Sequence, residues 1–346
     1  LISEVKTTKY SSEELDFCLD EVSKLLNENT ECYIPSGLDM DFWFLPDVQK
    51  SLGYIFSSIQ KIDKDKYKKF LLVCFSNTIK KVSLANPSII VPVKLKKNYY
   101  PIEHPLYKKV NSRYQILETL NVKEFFLNIV KENINRAKEF AHIVKSDVFS
   151  KIISTDARKL TVTQAENNEL LPDESVDLII TSPPYAGAQK YIRSSKLSLG
   201  WLEYFQEESF KTLDRKNIGR ENYSKKDYNI LIKTGLKEAD VELEKIFKIH
   251  PLRAHVAANY LWEMREAFKE SVRVLKTGGY MILVAANNDI CGSQFKTQEY
   301  LMNILLEMGL TITMRLVDDI KSYGLMTKRN KTASIITQEW VLVFQK

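Results

Sequence analysis

Apolar residues in the first 150 positions recur every three or four residues, with polar residues between them. That spacing is typical of helices that bury one face. Three such stripes are present, and breaks that contain proline separate them. They are Leu15, Leu19, Val22 and Leu26; Tyr67, Leu71, Cys74, Thr78 and Val82; and Val130, Ile134, Ala137, Ala141 and Val144. The pattern predicts a mostly helical region over residues 1–150.

From about residue 151 onwards, short apolar runs alternate with helical stripes. The predicted strands are 151–155, 178–180, 280–286, 310–316 and 339–344, the second of them buried. The predicted helices are a stripe from Ala257 to Leu275 that stops at Thr277-Gly278-Gly279, and one from Leu301 to Met308 that is closed by Gly309. This alternation predicts an α/β fold whose parallel sheet carries helices on both faces. The two final strands have no helix between them, which predicts an antiparallel edge.

Residues 206–250 interrupt this alternation. The stretch is highly charged and shows no sustained apolar periodicity. We therefore predict a charged insertion into the main fold.

Three polar residues follow predicted strands, namely Asp156, Ser182 and Asn287. In open α/β sheets, ligands bind at the carboxyl ends of the strands. The three residues therefore predict one cleft along a single rim of the sheet. Each of them is also a common turn residue, since Asp caps turns and helices and Asn forms turns.

The composition fits a soluble globular protein of one large or two ordinary domains, with 346 residues, 44% hydrophobic and 27% charged. A net charge of +6 is compatible with a nucleic-acid partner but does not by itself indicate one. No apolar run approaches membrane-spanning length, and the four cysteines lack the spacing of a disulfide framework or a metal site. We expect a reducing cytoplasm as the compartment and no bound metal.

Residues 177–185 read Asp-Leu-Ile-Ile-Thr-Ser-Pro-Pro-Tyr and carry the most specific chemistry of the chain. The strand must stop at Pro183 and Pro184, which have no backbone N–H to donate. Ser182 and the Pro183 carbonyl can each accept a hydrogen from the amino group of a base, and Tyr185 can stack on its ring. Two other interpretations stay open, a turn that ends a strand and a linear docking motif.

The stretch from Thr181 to Tyr185 resembles the catalytic motif of amino-methylating DNA methyltransferases, in the form usual for cytosine-N4 enzymes. Further stretches are similar to one bacterial family of modification enzymes. They are residues 186–193, 197–202, 218–221, 273–279, 287–288 and 324–330. The resemblance implies a Rossmann-like, S-adenosylmethionine-dependent methyltransferase sheet. Residues 151–346 would be the second half of the catalytic domain, and the helical region 1–150 would serve target recognition or an accessory role.

The glycine-rich loop of this family, and the acidic residue that binds the ribose of S-adenosylmethionine, are not found in this sequence. In the family both precede a segment like residues 1–8. We therefore expect a chain truncated just downstream of them. The alternatives are a split enzyme, in which a partner chain supplies the loop, and a degenerate protein.

The resemblance also assigns roles to residues. Ser182, Pro183, Pro184 and Tyr185 would be catalytic and would hold a base flipped out of the duplex. The cofactor S-adenosylmethionine would contact Asp156, Ala157, Thr181 and Asn287. DNA would contact Lys190, Tyr191, Arg193, Lys328 and Arg329. A solvated helix face and an ordinary basic surface loop are the alternative interpretations of these last five residues.

These features predict a site-specific DNA methyltransferase that transfers a methyl group from S-adenosylmethionine to the exocyclic amine of a flipped base. Cytosine N4 is the expected target because Ser182 favours it, and adenine N6 is the close alternative. A catalytically incomplete DNA-binding subunit of a split modification enzyme is another. Double-stranded DNA is the expected partner. A cognate restriction endonuclease and an N-terminal partner chain are the candidate protein partners, and no membrane association is expected.

Overall fold

A computed structural model describes residues 1–144, 150–161, 170–185, 191–204, 207–321 and 336–346, without the side chains of 207–209. The chain forms two compact units. The first comprises Leu1–Ile152 and Tyr191–Lys211, and the second comprises Ile153–Lys190 and Thr212–Lys346. Within the described residues, no helix is both long enough and apolar enough to cross a membrane.

The first unit is built from helices around one apolar core. Their bounds are α1 Ile2–Thr7, α2 Ser12–Glu28, α3 Met40–Trp43, α4 Pro46–Gln60, α5 Asp65–Lys81, α6 Pro105–Thr119, α7 Val122–Ile143, α8 Tyr191–Ser194 and α9 Lys196–Trp201, with α10 Glu207–Lys216 continuing into the second unit. The three apolar stripes of the sequence correspond to α2, α5 and α7. Helix α4 was not predicted, although it begins with proline at its first position and buries more than one face.

Residues 191–211 pack in the helical unit, whereas the sequence pattern placed them with the sheet. The reason is Trp201, a fully buried side chain of α9. Its ring meets those of Phe44 and Phe75 edge to face, at centroid distances of 5.8 and 5.7 Å. Aromatic pairs in this geometry stabilise a core beyond the area that they bury. No local pattern reveals such partners, which lie more than a hundred residues away.

A four-stranded mixed sheet organises the second unit, which confirms the predicted α/β fold. Its strands are β1 Val176–Thr181, β2 Leu275–Ala285, β5 Thr311–Asp319 and β6 Gln338–Gln345, and a small hairpin of β3 Asn288–Ile290 and β4 Ser293–Phe295 lies apart. The strand order is β1-β2-β6-β5. Strands β1 and β2 are parallel, and β6 runs antiparallel to both β2 and β5. The predicted antiparallel pairing of the last two strands is therefore confirmed.

One face of this sheet is covered by helices. Met281 and Leu283 of β2 pair with Phe344 and Leu342 of β6, and all four side chains are fully buried. They share a core with helices α11 Lys237–Ile249, α12 Pro251–Val274 and α13 Thr297–Glu307. Helix α11 buries Ala239, Leu243 and Ile246 in this core, although the sequence between 206 and 250 shows no sustained periodicity. The charged stretch therefore contributes to the core at its carboxyl end.

The opposite face of the sheet is apolar and open. Its side chains include Leu178 and Ile180 of β1, which are 49% and 67% exposed. On β5, Met314 and Leu316 lie on the same face and are each 51% exposed. The predictions of a buried strand at 178–180 and of helices on both faces are therefore wrong for the described residues. An apolar run predicts burial, but periodicity cannot show whether a covering layer is present.

Two predicted boundaries also differ from the structure. The described residues from 150 to 160 form no strand, so that Asp156 does not follow one. Helix α12 ends at Val274, and β2 begins at the next residue. Gly279 lies inside β2, where a Cβ atom would come within 2.9 Å of the Asp177 carbonyl oxygen on β1. Glycine is required there by the close approach of two strands and does not terminate the helix.

Candidate active site

Three strand ends meet at one rim of the sheet. Thr181, the last residue of β1, pairs with Leu283, so the carboxyl ends of the parallel strands β1 and β2 lie at the same edge. Strand β6 is antiparallel to β2, and its early residue Trp340 pairs with Ala285 at the end of β2. The residues that follow β1 therefore lie on the same rim as the beginning of β6. This is the rim where open α/β sheets bind ligands.

The Thr-Ser-Pro-Pro-Tyr motif leaves the sheet at this rim. Thr181 is the last strand residue, and Ser182 to Tyr185 follow outside the strand. Ser182 is exposed, and its hydroxyl makes no hydrogen bond to a described residue. Pro183 is buried, which fixes the backbone on which Ser182 and Tyr185 are carried. The motif thus presents an available hydroxyl acceptor on a constrained main chain.

Tyr185 is held in place from a different strand. Its hydroxyl donates a hydrogen bond to the carboxylate of Glu339 on β6. Strand β2 lies between β1 and β6, so the Tyr185 side chain reaches past the end of β2 to contact Glu339. A hydrogen bond to a carboxylate is among the stronger ones in proteins. Glu339 therefore restricts where the Tyr185 ring can lie.

The side on which Tyr185 is held follows from the strand register. Trp340 pairs with Ala285, whose side chain belongs to the covered face. Glu339 precedes Trp340 and therefore projects from the open face, because successive side chains of a strand alternate. The anchor of Tyr185 consequently lies on the open side of the sheet.

A glycine turn supports the main chain of the motif. Gly219 has a φ of +77°, a conformation that glycine adopts without strain. A Cβ atom at this position would lie 3.5 Å from the Tyr185 carbonyl oxygen and 3.4 Å from the Tyr260 ring. The Gly219 N–H donates to Glu263 of α12 at 3.2 Å. The turn is thus tied to a helix of the core, and it lies close to the Thr-Ser-Pro-Pro-Tyr motif.

Glu263 is the centre of a charged cluster beneath this turn. Its carboxylate lies 3.3 Å from a guanidinium nitrogen of Arg158 and 3.4 Å from one of Arg220. The Glu263 side chain is only 14% exposed. Burial raises the pKa of the Glu263 carboxyl, and the two arginines only partly oppose this. The cluster joins three separate stretches of sequence, those that contain Arg158, Arg220 and Glu263.

Asp156 belongs to the same cluster. Its carboxylate accepts the Arg158 backbone N–H at 2.9 Å and forms an ion pair with the Arg158 guanidinium at 2.8 Å. The Arg158 guanidinium lowers the pKa of the Asp156 carboxyl. Asp156 thus forms a turn, which is the alternative role that the sequence analysis gave it. Its carboxylate is bound by Arg158.

The predicted cofactor residues do not by themselves form a site that fits S-adenosylmethionine. Asp156 is engaged by Arg158, and Ala157 lies in the exposed turn beside it. Asn287 follows β2, and its side-chain oxygen accepts the Gln298 N–H at 3.2 Å, which ties it to the start of α13. Of the four residues, only Thr181 belongs to the motif itself. The roles of these four residues in cofactor binding therefore stay predictions.

Two of the five predicted DNA-binding residues are among the described residues. Tyr191 and Arg193 are exposed residues of α8, in the helical unit. Lys190, Lys328 and Arg329 lie outside the described residues. Among the residues that are described, no cluster of three or more His, Cys, Asp or Glu side chains could bind a metal.

Glu339 and Glu263 were missed by sequence reasoning. Glu339 is the first residue of a predicted strand, and an antiparallel final strand must begin at the rim where its parallel neighbour ends. The position of Glu339 at this rim could therefore have been inferred from the sequence. For Glu263 no local signal exists, because Arg158 lies 105 positions away in the sequence.

Comparison with known proteins gives one informative relative. The type II methyltransferase M.MvaI from Kocuria varians is 24% identical over 313 residues, which cover 84% of this chain and 63% of that protein. No family model matches the sequence.

Among solved structures, TTHA0409 of Thermus thermophilus, a proposed DNA modification methylase, is 16% identical with a TM-score of 0.26. That match covers 55% of this chain and 51% of the other. Its complex with S-adenosyl-L-methionine matches at 15% identity and a TM-score of 0.27, over 55% and 53% of the two chains. Because both TM-scores are low, neither likeness supports a conclusion about this chain. The relationship to M.MvaI, over most of the length of the chain, confirms the resemblance to type II DNA methyltransferases.

Proposed function

We propose that this chain is the base-binding part of an S-adenosylmethionine-dependent DNA methyltransferase that acts on an exocyclic amine, with cytosine N4 as the target. The observation that carries the proposal is the geometry of the motif. Ser182 offers an exposed, uncommitted hydroxyl on a proline-constrained main chain, and Glu339 holds the ring of Tyr185 beside it. The similarity to M.MvaI supports the same reaction class.

The chemistry explains why these residue types suit the reaction. An exocyclic amine of a base is a poor nucleophile, because its lone pair is delocalised into the ring. The Ser182 hydroxyl oxygen and the Pro183 carbonyl can accept the two amino hydrogens and draw the nitrogen towards tetrahedral geometry. They also stabilise the positive charge that develops on the nitrogen during transfer. S-Adenosylmethionine would supply an electrophilic methyl group.

Tyr185 would position the base. A target amine lies inside the duplex, so the nucleotide must be flipped out before it can react. An aromatic ring replaces part of the stacking that the base loses. Since Glu339 fixes the Tyr185 hydroxyl, the ring is held ready for the base before binding. The same geometry would also accept adenine N6, and the preference for cytosine N4 rests on the serine of the motif.

One observation favours a second candidate function, a DNA-binding subunit that is catalytically incomplete by itself. Two of the predicted cofactor residues, Asp156 and Asn287, are engaged within the chain, so a partner chain could complete the enzyme. Isothermal calorimetry separates the two candidates. Weak or undetectable binding of S-adenosylmethionine favours the incomplete subunit, whereas tight binding together with methylation of DNA excludes it. The cytoplasm is the proposed compartment, and a cognate restriction endonuclease is a proposed partner.

The proposal is tested by mapping modified bases in DNA from cells that express the gene. We expect N4-methylcytosine at a defined sequence, and we expect Ser182→Ala and Tyr185→Ala to abolish it. Ser3→Ala and Tyr204→Ala change exposed residues of the helical unit and serve as matched controls that retain methylation. N6-methyladenine in its place would correct the target base. Wild-type modification in both motif variants would refute the mechanism.

A further inference from the structure

Positive charge in this chain is concentrated in one segment. Residues 80–113, called the basic segment below, contain eight lysine and arginine residues and a single acidic one, Glu103. The net charge of the segment is +7, whereas that of the whole chain is +6, so the remaining residues are together close to neutral. Such a concentration of one sign of charge marks a surface for an anionic partner.

The basic segment is a folded surface that joins α5 to α6. The Leu95 N–H donates to the Leu84 carbonyl at 2.8 Å, and both side chains are buried in the helical core. Lys80 donates to two backbone carbonyls near the tip of the connection, each at 2.9 Å. Arg113 of α6 donates to the Ser83 carbonyl at 2.8 Å. These bonds fix the backbone from which the other cations project.

Two lysines of the basic segment have aromatic neighbours in place of acidic ones, whereas Lys97 pairs with Glu118 at 2.9 Å. The Lys94 ammonium lies 4.4 Å from the centre of the Phe42 ring, and that of Lys96 lies 5.4 Å from the Tyr99 ring. Neither forms an ion pair with a described residue. Tyr99 itself is 64% exposed. Lysines that lie against rings, without a carboxylate to neutralise them, keep their charge available for a phosphate.

The start of α6 adds to the same surface. Lys108 and Lys109 are exposed just after the first turn of α6, and that turn contains no acidic residue. The partial positive charge at a helix N-terminus disfavours cations there and favours anions. Cations of the sheet unit are arranged differently, since Arg265 pairs with Glu307 at 2.7 Å and Arg253 with Glu221 at 2.9 Å. The arginines of the sheet unit stabilise the fold through ion pairs, whereas Lys108 and Lys109 present their charge to the solvent.

We propose that the basic segment binds the sugar–phosphate backbone of double-stranded DNA. The proposal rests on the DNA substrate proposed above, and it assigns a docking surface of the helical unit to that substrate. Lysine contacts with phosphates position a protein on a duplex without reading its sequence. Each contact releases counterions, so the affinity must fall steeply with salt. The basic segment therefore supplies affinity, and specificity must come from other residues.

The test compares the salt dependence of duplex binding in three proteins. Fluorescence anisotropy with a labelled duplex of about 25 base pairs gives the dissociation constant over a series of KCl concentrations. The variant Lys94→Ala/Lys96→Ala/Lys108→Ala should bind more than tenfold more weakly. The slope of log affinity against log salt should become shallower by about 2.7, because each phosphate that the protein no longer neutralises removes roughly 0.9. The matching variant with arginine at the three positions should keep the wild-type slope.

The control removes three exposed lysines from other places, as Lys24→Ala/Lys237→Ala/Lys248→Ala, and alters the net charge equally. We expect the wild-type slope from it. Equal slopes for the two alanine variants would overturn the proposal, because the effect would then be one of overall charge. Stronger binding to anionic phospholipid vesicles or to single-stranded RNA than to the duplex would overturn it as well. The binding assay contains no S-adenosylmethionine and measures no methylation, so a failure of the proposed function and a failure of this proposal are distinguishable.

Discussion

The two faces of the sheet in the second unit are both apolar, yet only one is a core. On the covered face, Met281 and Leu283 are fully buried beneath helices. On the open face, Leu178 and Ile180 are about half exposed or more, at 49% and 67%. Parallel strands normally have both faces covered. The difference shows that an apolar strand sequence does not reveal whether a face is covered. The covering layer is supplied by other parts of the chain.

The open face is also the side that carries the candidate chemistry. Glu339 projects from it and holds Tyr185, while its neighbour Trp340 faces the helices. Because successive side chains of β6 point to opposite faces, Trp340 packs against the helices while Glu339 is available to Tyr185. The covered face supports the strand, and the open face presents the residue that fixes the aromatic ring.

Leu283→Ala should have the largest effect on stability. The side chain is fully buried between β1, β6 and the helices of the covered face, so its removal leaves a cavity. We expect a loss of about 2–5 kcal/mol in the free energy of unfolding. Urea denaturation followed by circular dichroism measures it. A loss below about 0.5 kcal/mol, the range of exposed positions, would show that this face is not a packed core.

Glu339→Gln should lower the rate of methylation by about tenfold, which corresponds to about 1.4 kcal/mol, with little effect on stability. The change weakens the charged hydrogen bond that holds the Tyr185 hydroxyl. Tyr185→Phe should have a similar effect, and the double variant should be no slower than either single one. Single-turnover rates of the three variants form the measurement. Additive effects would show that Glu339 does not act through Tyr185.

Ile180→Thr should have the smallest effect. The side chain is 67% exposed on the open face, so a polar replacement removes few contacts. We expect a change within about 0.5 kcal/mol in the free energy of unfolding and a weaker fluorescence of bound anilinonaphthalene sulfonate. Ile304→Thr, a fully buried change in α13, is the matched control and should be strongly destabilising. Equal losses in the two variants would mean that the open face is covered in solution.

Local patterns predicted those elements in which periodicity and burial agree. Helices α2, α5 and α7 follow single apolar stripes, and strands β1 and β2 were recognised from short apolar runs. Helix α4 was missed although Val48, Leu52, Ile55 and Ile59 recur at helical spacing, so a local signal for it was present in the sequence. The strand predicted at 151–155 is not formed, since an apolar run can satisfy its backbone only where a neighbouring strand is present.

The sequence by itself determined the motif, its position after a strand and the chemistry that its side chains can perform, because proline, serine and tyrosine act through local geometry. Only the tertiary structure decided that Glu339 holds Tyr185, that Glu263 joins Arg158 to the Gly219 turn, and that one sheet face is open. The physical reason is the same for all three. Each depends on which distant segments meet, and such meetings follow from the packing of the whole chain and not from any local pattern.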